Sequence, residues 1–220
     1  GRINLKEIYR KKKLKVLFIR QKYTSLVAHL EPLGLEYLAG LAKELGIECE
    51  IHDEFDKPWT FRLTRMCNMI RKGGYNFVGL NANANTVDYI TKRARQLKER
   101  FPDLTIMVGG PEAEMNYLEF LTDDIDLVYY DNGLKTLKAV WKSGLDLNVM
   151  DEQTGIAFKK NGEWVVKEKG APVNCFINKP DRTAFYRGLK KNYIFMKGKY
   201  ALSKASFSCP FSCSFCYCTT

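Results

Sequence analysis

The sequence predicts an α/β protein: a five-stranded parallel sheet with helices on both faces. Two observations carry this prediction. Short apolar runs alternate strictly with segments of helical period from residue 15 to about residue 144, and that alternation calls for parallel strands joined by crossover helices. The composition also supports a packed core, with 45% hydrophobic residues, 13 Phe, 12 Tyr and 3 Trp.

Lys15–Arg20 (KVLFIR) reads as a buried strand, and Leu33–Leu45 as an amphipathic helix stopped by Gly46. Glu48–Phe55 alternates weakly, as a second strand would, and Phe61–Arg71 is helical up to the Gly73-Gly74 stop. Phe77–Leu80 is a third strand, followed by the polar turn Asn81–Asn85. The helix Val87–Phe101 comes next, capped by Asn85 or Thr86. Thr105–Val108 is a fourth strand running into Gly109-Gly110-Pro111, and Met115–Leu121 reads as helical. Asp126–Tyr130 is a fifth strand and Leu134–Trp141 a fifth helix.

The pattern then changes. Gly155–Lys160 and Glu163–Lys167 flank Asn161-Gly162, a dipeptide suited to a two-residue hairpin turn. Residues 169–199 are basic and irregular and read as a connecting segment, and Tyr200–Phe207 as one more strand. The expected organisation is a basic tail over 1–14, the α/β domain over 15–146, the hairpin and basic linker over 147–199, and the start of another domain over 200–220. There is no internal repeat or low-complexity tract.

The net charge of +10 is uneven. Residues 1–22 hold nine Lys/Arg and one acid, residues 159–220 hold twelve and three, and the stretch between holds fourteen and twenty-one. The largest folded part is therefore acidic, and solvated flanks explain the basic excess better than a nucleic-acid surface. No apolar run approaches the roughly 18–20 residues of a membrane span, and Val16–Ile19 is too short for a signal-peptide core. A cytoplasmic protein is expected. Seven cysteines there point to metal or redox chemistry before disulfides.

In an open parallel sheet the ligand crevice lies beyond the carboxyl ends of the strands, at the switch in strand order. That directs attention to loops 21–32, 81–86, 109–114 and 131–133. The loop after the first strand has no G-x-G-x-x-G and no phosphate-loop lysine, which argues against a nucleotide held by its phosphates. Gly109-Gly110-Pro111 either turns the chain or admits a flat ligand close to the backbone. Asn81, Asn83 and Asn85 present amides to such a ligand or cap the following helix, with capping favoured for Asn85.

Cys209, Cys213 and Cys216 form C-x3-C-x2-C. Three thiolates on one loop can ligate one soft metal centre. A closed zinc site usually wants a fourth Cys or His, which Cys218 would supply. An iron–sulfur cluster held by three cysteines keeps one iron open for a small molecule.

The cysteine spacing, with Phe215 before the third cysteine, resembles the radical S-adenosylmethionine (radical SAM) signature. Pro180-Asp181-Arg182 and the run ALSKASFSCPFSCSFC look like the approach to that cluster in radical SAM enzymes with an N-terminal cobalamin-binding domain. Leu33–Ala39 and Val108–Pro111 are similar to that domain. Two departures stand out: Ser208 replaces a common Gly before the first cysteine, and Tyr130-Asp131-Asn132-Gly133 replaces a Gly-Glu-Gly-Glu-like turn.

The resemblance implies a Rossmann-like or flavodoxin-like sheet of the cobalamin-binding type, then the first strand of a partial (β/α) barrel. It implies that Cys209, Cys213 and Cys216 bind a [4Fe-4S] cluster whose fourth iron chelates S-adenosylmethionine, with Phe215 beside that cofactor. The expected cobalamin contacts are Leu33, Gly34, Asn81, Asn85, Thr86, Gly109, Gly110, Pro111, Glu112, Asn132 and Gly133. Reductive cleavage of S-adenosylmethionine would give a 5′-deoxyadenosyl radical that abstracts substrate hydrogen, and methylcobalamin would donate a methyl group. No residue is singled out as catalytic.

Val27–Pro32 lacks the Asp and Gly of D-x-H-x-x-G, so His29 reads as a loop residue, with ligation of cobalt as the alternative. His52 reads as structural, Cys49 and Cys67 as buried apolar groups, and Cys175 as a linker thiol. Cys218 as a fourth ligand would close the open iron. A (β/α)8 barrel takes about 250 residues, so the sequence is expected to be the N-terminal portion of a longer enzyme, inactive by itself. The leading expectation is a methyltransferase acting on an unactivated carbon or phosphorus centre. It would use a small-molecule or peptide substrate and an electron donor such as flavodoxin or ferredoxin. The alternatives are an oxidative or cyclising enzyme of the same architecture and a stand-alone cobalamin-binding or zinc-stabilised module.

Overall fold

The structure is a computed structural model that describes residues 13–21, 31–54, 62–131, 134–170, 178–186 and 202–203. The strands are β1 Lys15–Arg20, β2 Glu48–Asp53, β3 Phe77–Asn81, β4 Thr105–Gly109, β5 Leu127–Tyr129, β6 Ile156–Lys160 and β7 Glu163–Val166. The helices are α1 Leu33–Glu44, α2 Arg62–Gly73, α3 Val87–Lys98, α4 Pro111–Asn116, α5 Lys135–Ser143, α6 Leu147–Asp151 and α7 Thr183–Tyr186.

Among the described residues, seven strands form one sheet in the order β2-β1-β3-β4-β5-β6-β7. The first five run parallel, and β6 and β7 are antiparallel additions. The five expected parallel strands are present. The hairpin, expected in a connecting segment, extends the same sheet: β6 pairs with β5 through Leu127–Phe158, Val128–Ala157 and Tyr129–Ile156. Asn161 and Gly162 take φ of 55° and 86°, as a tight hairpin turn requires.

Alternate strand residues fill two separate cores. Leu17, Ile19, Val78, Leu80, Ile106 and Val108 face α2 and α3, where Met66, Ile70, Ile90, Ala94 and Leu97 meet them. Val16, Phe18, Phe77, Met107, Leu127 and Phe158 face α1 and α5, with Leu35, Ala39, Leu137, Val140 and Trp141 against them. Trp141 packs edge-on against Phe77 at 6.0 Å and lies 5.9 Å from Phe18. A strand flanked on both faces needs apolar residues at consecutive positions, which KVLFIR supplies.

Local signals explain the boundaries that differ from expectation. The helix after β4 begins at Pro111, a residue suited to a first helical turn, and tightens into a 3-10 turn over Tyr117–Phe120. Thr86 precedes α3, but its hydroxyl turns back to Asn83 and caps no helical N–H. The short α6 follows Asp146, whose side chain accepts from the Asn148 N–H at 2.9 Å. Residues 178–186, expected within the linker, pack against α1 and β2 and place Ala184 in the second core. Of the expected strand Tyr200–Phe207, only Leu202 and Ser203 are described, and their backbone is irregular.

Charged groups gather at the carboxyl ends of β1 and β2. Arg20 pairs with Asp53 at 2.5 Å. Glu54, fully buried, lies 3.3 Å from Arg93 and accepts from the Tyr89 hydroxyl at 2.5 Å. Burial first, then the charge of Glu54, holds the Tyr89 phenol up at about 12, so it stays a donor. Replacing Arg93 by Met strands a buried carboxylate. Urea unfolding should show a loss of about 3–5 kcal/mol. Arg95→Met, which removes the exposed pair to Asp124, should stay within about 0.5 kcal/mol.

Candidate functional site

A cavity of about 240 Å³ opens at the carboxyl edge of the sheet, on the face covered by α1 and α5. Its floor is Phe18 of β1, Gly79 and Leu80 of β3 and Met107 of β4. Gly34, Leu35, Tyr37 and Leu38 of α1 form one wall, and Tyr129, Tyr130, Asp131 and Leu134 the other. Asn81, Gly109, Gly110, Pro111 and Glu114 form the rim. This is where strand order reverses between β1 and β3, the place open parallel sheets bind ligands.

Small residues make the space. A Cβ on Gly79 would lie 2.4 Å from the Phe18 ring, so only glycine lets that ring lie across β3. Gly110 has φ of 106°, and a Cβ there would sit 2.6 Å from Asn81 Oδ1 and 2.7 Å from the Ala82 carbonyl oxygen. That close approach accompanies two backbone bonds, Ala82 N–H to Gly109 O at 2.7 Å and Glu112 N–H to Ala82 O at 3.1 Å. They tie the ends of β3 and β4 together. A Cβ on Gly34 would meet nothing within 4 Å.

The lining is mostly apolar with a few polar groups. Burial first, then the nearby Asp131 and Glu114 carboxylates, raises the Tyr129 hydroxyl above its ordinary value, so it remains neutral. Tyr130 is held from behind: its hydroxyl reaches Ile156 O at 3.0 Å and also Lys167 O, and its ring stacks on Tyr117 at 4.2 Å. An apolar slot with a neutral phenol and acidic side chains at its rim suits a flat apolar ring with amide N–H donors attached nearby better than a phosphate.

Of the expected cobalamin contacts, Gly34, Asn81, Gly109, Gly110 and Pro111 line this cavity together. Leu33 starts α1 but is not part of the lining. Asn85 is exposed at φ of 61°, and Thr86 is buried against Asn83. Glu112 is 9% exposed and accepts from Asn116 Nδ2 at 2.8 Å, away from the lining. Asn132, Gly133, His29, Phe215, Cys175 and Cys209, Cys213, Cys216 and Cys218 lie outside the described residues.

Phe18, Gly79, Met107 and Tyr129 were not singled out by sequence reasoning. The glycine inside the apolar strand FVGL was the one available hint. Among the described residues, no group of three or more His, Cys, Asp or Glu is placed to hold a metal ion. Cys67 is a buried free thiol, and Cys49 is partly buried. No described helix is long and apolar enough to cross a membrane.

Residues 24–141 match the family described as "B12 binding domain". Two solved enzymes share the fold. One is the radical S-adenosylmethionine methyltransferase TsrM from Kitasatospora setae, solved with tryptophan substrate and a SAM analogue. It is 16% identical, with a TM-score of 0.52 and coverage of 71% of this chain and 30% of that one. The other is the cobalamin-dependent S-adenosylmethionine radical enzyme OxsB with aqua-cobalamin bound. It is 16% identical, with a TM-score of 0.57 and coverage of 73% of this chain and 23% of that one. At such identity the likeness shows the fold, and this chain spans under a third of either enzyme's length. No curated protein sequence matches.

The rim geometry gives a test on two neighbouring glycines. Gly110→Ala must move Asn81 or Ala82 and adopt an unfavourable φ, and should cost about 1–3 kcal/mol in urea unfolding. Gly34→Ala, in open space at the start of a helix, should be neutral or stabilising by about 0.5 kcal/mol.

Proposed function

The chain belongs to the B12-binding domain family, and from that premise we propose that it is the cobalamin-binding portion of a radical SAM enzyme, most specifically a methyltransferase. The observation that carries the proposal is the apolar cavity at the switch point, where Gly34, Asn81, Gly109, Gly110 and Pro111 converge. Its volume of about 240 Å³ admits a flat heterocycle but not a corrin ring, so it would take the benzimidazole end of the cofactor. Asn81, Glu114 and Asp131 would hold the cofactor's amide edge as acceptors, and the Tyr129 phenol would act as a donor.

The cysteine spacing supports the second half of the proposal, with Cys209, Cys213 and Cys216 holding a [4Fe-4S] cluster and S-adenosylmethionine. When bound, the two cofactors would supply a hydrogen-abstracting radical and a transferable methyl group. This chain's contribution is to bind the corrinoid at one sheet edge and keep water from its apolar end. An unactivated carbon or phosphorus centre of a small molecule or peptide is the substrate class we assign, with a flavodoxin or ferredoxin as electron donor.

Two measurements test the proposal. Titrating the 220-residue chain with hydroxocobalamin should give saturable binding, read in the visible spectrum. Gly34→Leu, which fills open space at the cavity wall, should weaken binding at least about tenfold without lowering the unfolding temperature. Absence of binding to the folded chain would remove the cobalamin reading. Anaerobic reconstitution of the longer parent polypeptide with iron and sulfide tests the cluster. Stoichiometric zinc in the cysteine trio, with no iron–sulfur absorbance, would exclude it.

A further inference from the structure

Two carboxylates sit beside the cavity without lining it. Glu31, just before α1, and Glu36, in its first turn, are 3% and 0% exposed. Between them stands the guanidinium of Arg182, from 151 residues along the chain. Its Nε lies 3.4 Å from Glu31 Oε1 and 3.8 Å from Glu36 Oε2. Among the described residues, neither oxygen of Glu36 has a hydrogen-bond partner.

We infer that Arg182 is a positioning residue: held between Glu31 and Glu36, it latches residues 178–186 and Leu202 onto α1, the helix that forms one wall of the cavity. The latch thereby fixes residues 178–186 and Leu202 against that wall. The inference rests on the cobalamin-enzyme reading for its purpose, though not for its geometry.

Several contacts share the register that Arg182 imposes. Its Nη2 donates to the Leu202 carbonyl at 2.5 Å, and the Leu202 N–H donates to Glu31 Oε1. The Asp181 N–H donates to the Glu36 carbonyl at 2.8 Å, and Asn178 Nδ2 to the carbonyl of Tyr37, a cavity residue, at 2.6 Å. A Cβ on Gly40 would fall 1.9 Å from the Lys179 carbonyl oxygen, so the two backbones meet where only glycine fits. Asp181 also faces Lys43 at 3.6 Å and accepts from the Thr183 N–H and hydroxyl.

One guanidinium facing two enclosed carboxylates makes the latch responsive to protons. Burial first, then Glu31, raises the Glu36 carboxyl to about 7, against the opposing pull of Arg182 and Arg20. Asp181 adds a smaller upward push, and Arg20 is itself paired to Asp53. An acid raised in the closed state holds a proton there that the open state has released above its ordinary value of 4.5. Closure is therefore tightest below that value. It weakens by at most about tenfold per pH unit as the pH rises towards about 7, then levels off.

Amide hydrogen exchange on the full 220-residue chain tests this, with rates at Asp181 and Leu202 corrected for intrinsic pH dependence. Between pH 5 and 7 the opening equilibrium at both amides should rise about fivefold or more. Arg182→Met should speed exchange at both about tenfold while β3 and β4 amides stay protected. Arg182→Lys should recover part of the protection. Glu36→Gln, a mimic of the protonated acid, should keep the protection and abolish its pH dependence. Unchanged exchange in Arg182→Met, or a pH slope that survives Glu36→Gln, overturns the inference. If Arg182→Met exposes the core strands as well, Arg182→Lys and Glu36→Gln decide by the same criteria. Hydroxocobalamin titration of the unsubstituted chain separates the two readings. Latch behaviour without cobalamin uptake defeats only the functional proposal, and uptake with unresponsive exchange defeats only the latch.

Discussion

A parallel sheet buried on both faces confines polar side chains to the ends of its strands, and much of this structure follows from that confinement. Within β1 and β3 the interior positions are apolar, so charged and polar side chains first appear at Arg20, Asp53, Glu54 and the amide of Asn81, where the strands stop. Charges buried at such an edge are costly unless each finds a partner. The pairs Arg20–Asp53, Arg93–Glu54 and Arg182–Glu31 are the result, and each joins segments distant in sequence. These contacts add little net stability compared with an apolar core of equal volume. Their effect is specificity, because a shifted strand or helix would leave an ion buried alone.

The same edge holds the cavity, and its existence depends on missing side chains more than on present ones. Gly79 lets Phe18 lie flat as a floor, Gly110 lets β3 and β4 close against each other, and Gly34 leaves the α1 wall open. Around that space the fold has placed neutral tyrosines and a few acceptors in place of cations. The site thereby differs from a phosphate-binding crevice built on the same sheet topology, where a glycine-rich turn meets a helix N-terminus.

Further elements pack at both ends of the parallel sheet. On one side β6 and β7 continue the hydrogen-bond ladder beyond β5 and shield its apolar strands. On the other, α7 packs on β2 and α1 and adds Ala184 to the second core. The residue before α7 is Arg182, so this packing and the Glu31–Glu36 cluster belong to one structural feature. The Asn178 hydrogen bond to the Tyr37 carbonyl links this segment to the wall of the cavity.

The sequence by itself determined the five parallel strands, their helices and the carboxyl-edge location of the site. Those features depend on local periodicity, glycine stops and a topological rule that holds for any such sheet. It also pointed to Gly34, Asn81 and Gly109–Pro111 through a family resemblance, and to the cysteine trio through spacing. Tertiary structure alone decided that the hairpin joins the sheet, because pairing with β5 is a long-range choice that turn chemistry does not encode. It alone brought Phe18, Met107 and Tyr129 into the cavity wall, since their apolar character is equally suited to plain core. And it alone set Arg182 between Glu31 and Glu36. A contact spanning some 150 residues leaves no periodic trace, and it arises only when burial forces separated charges to share one place.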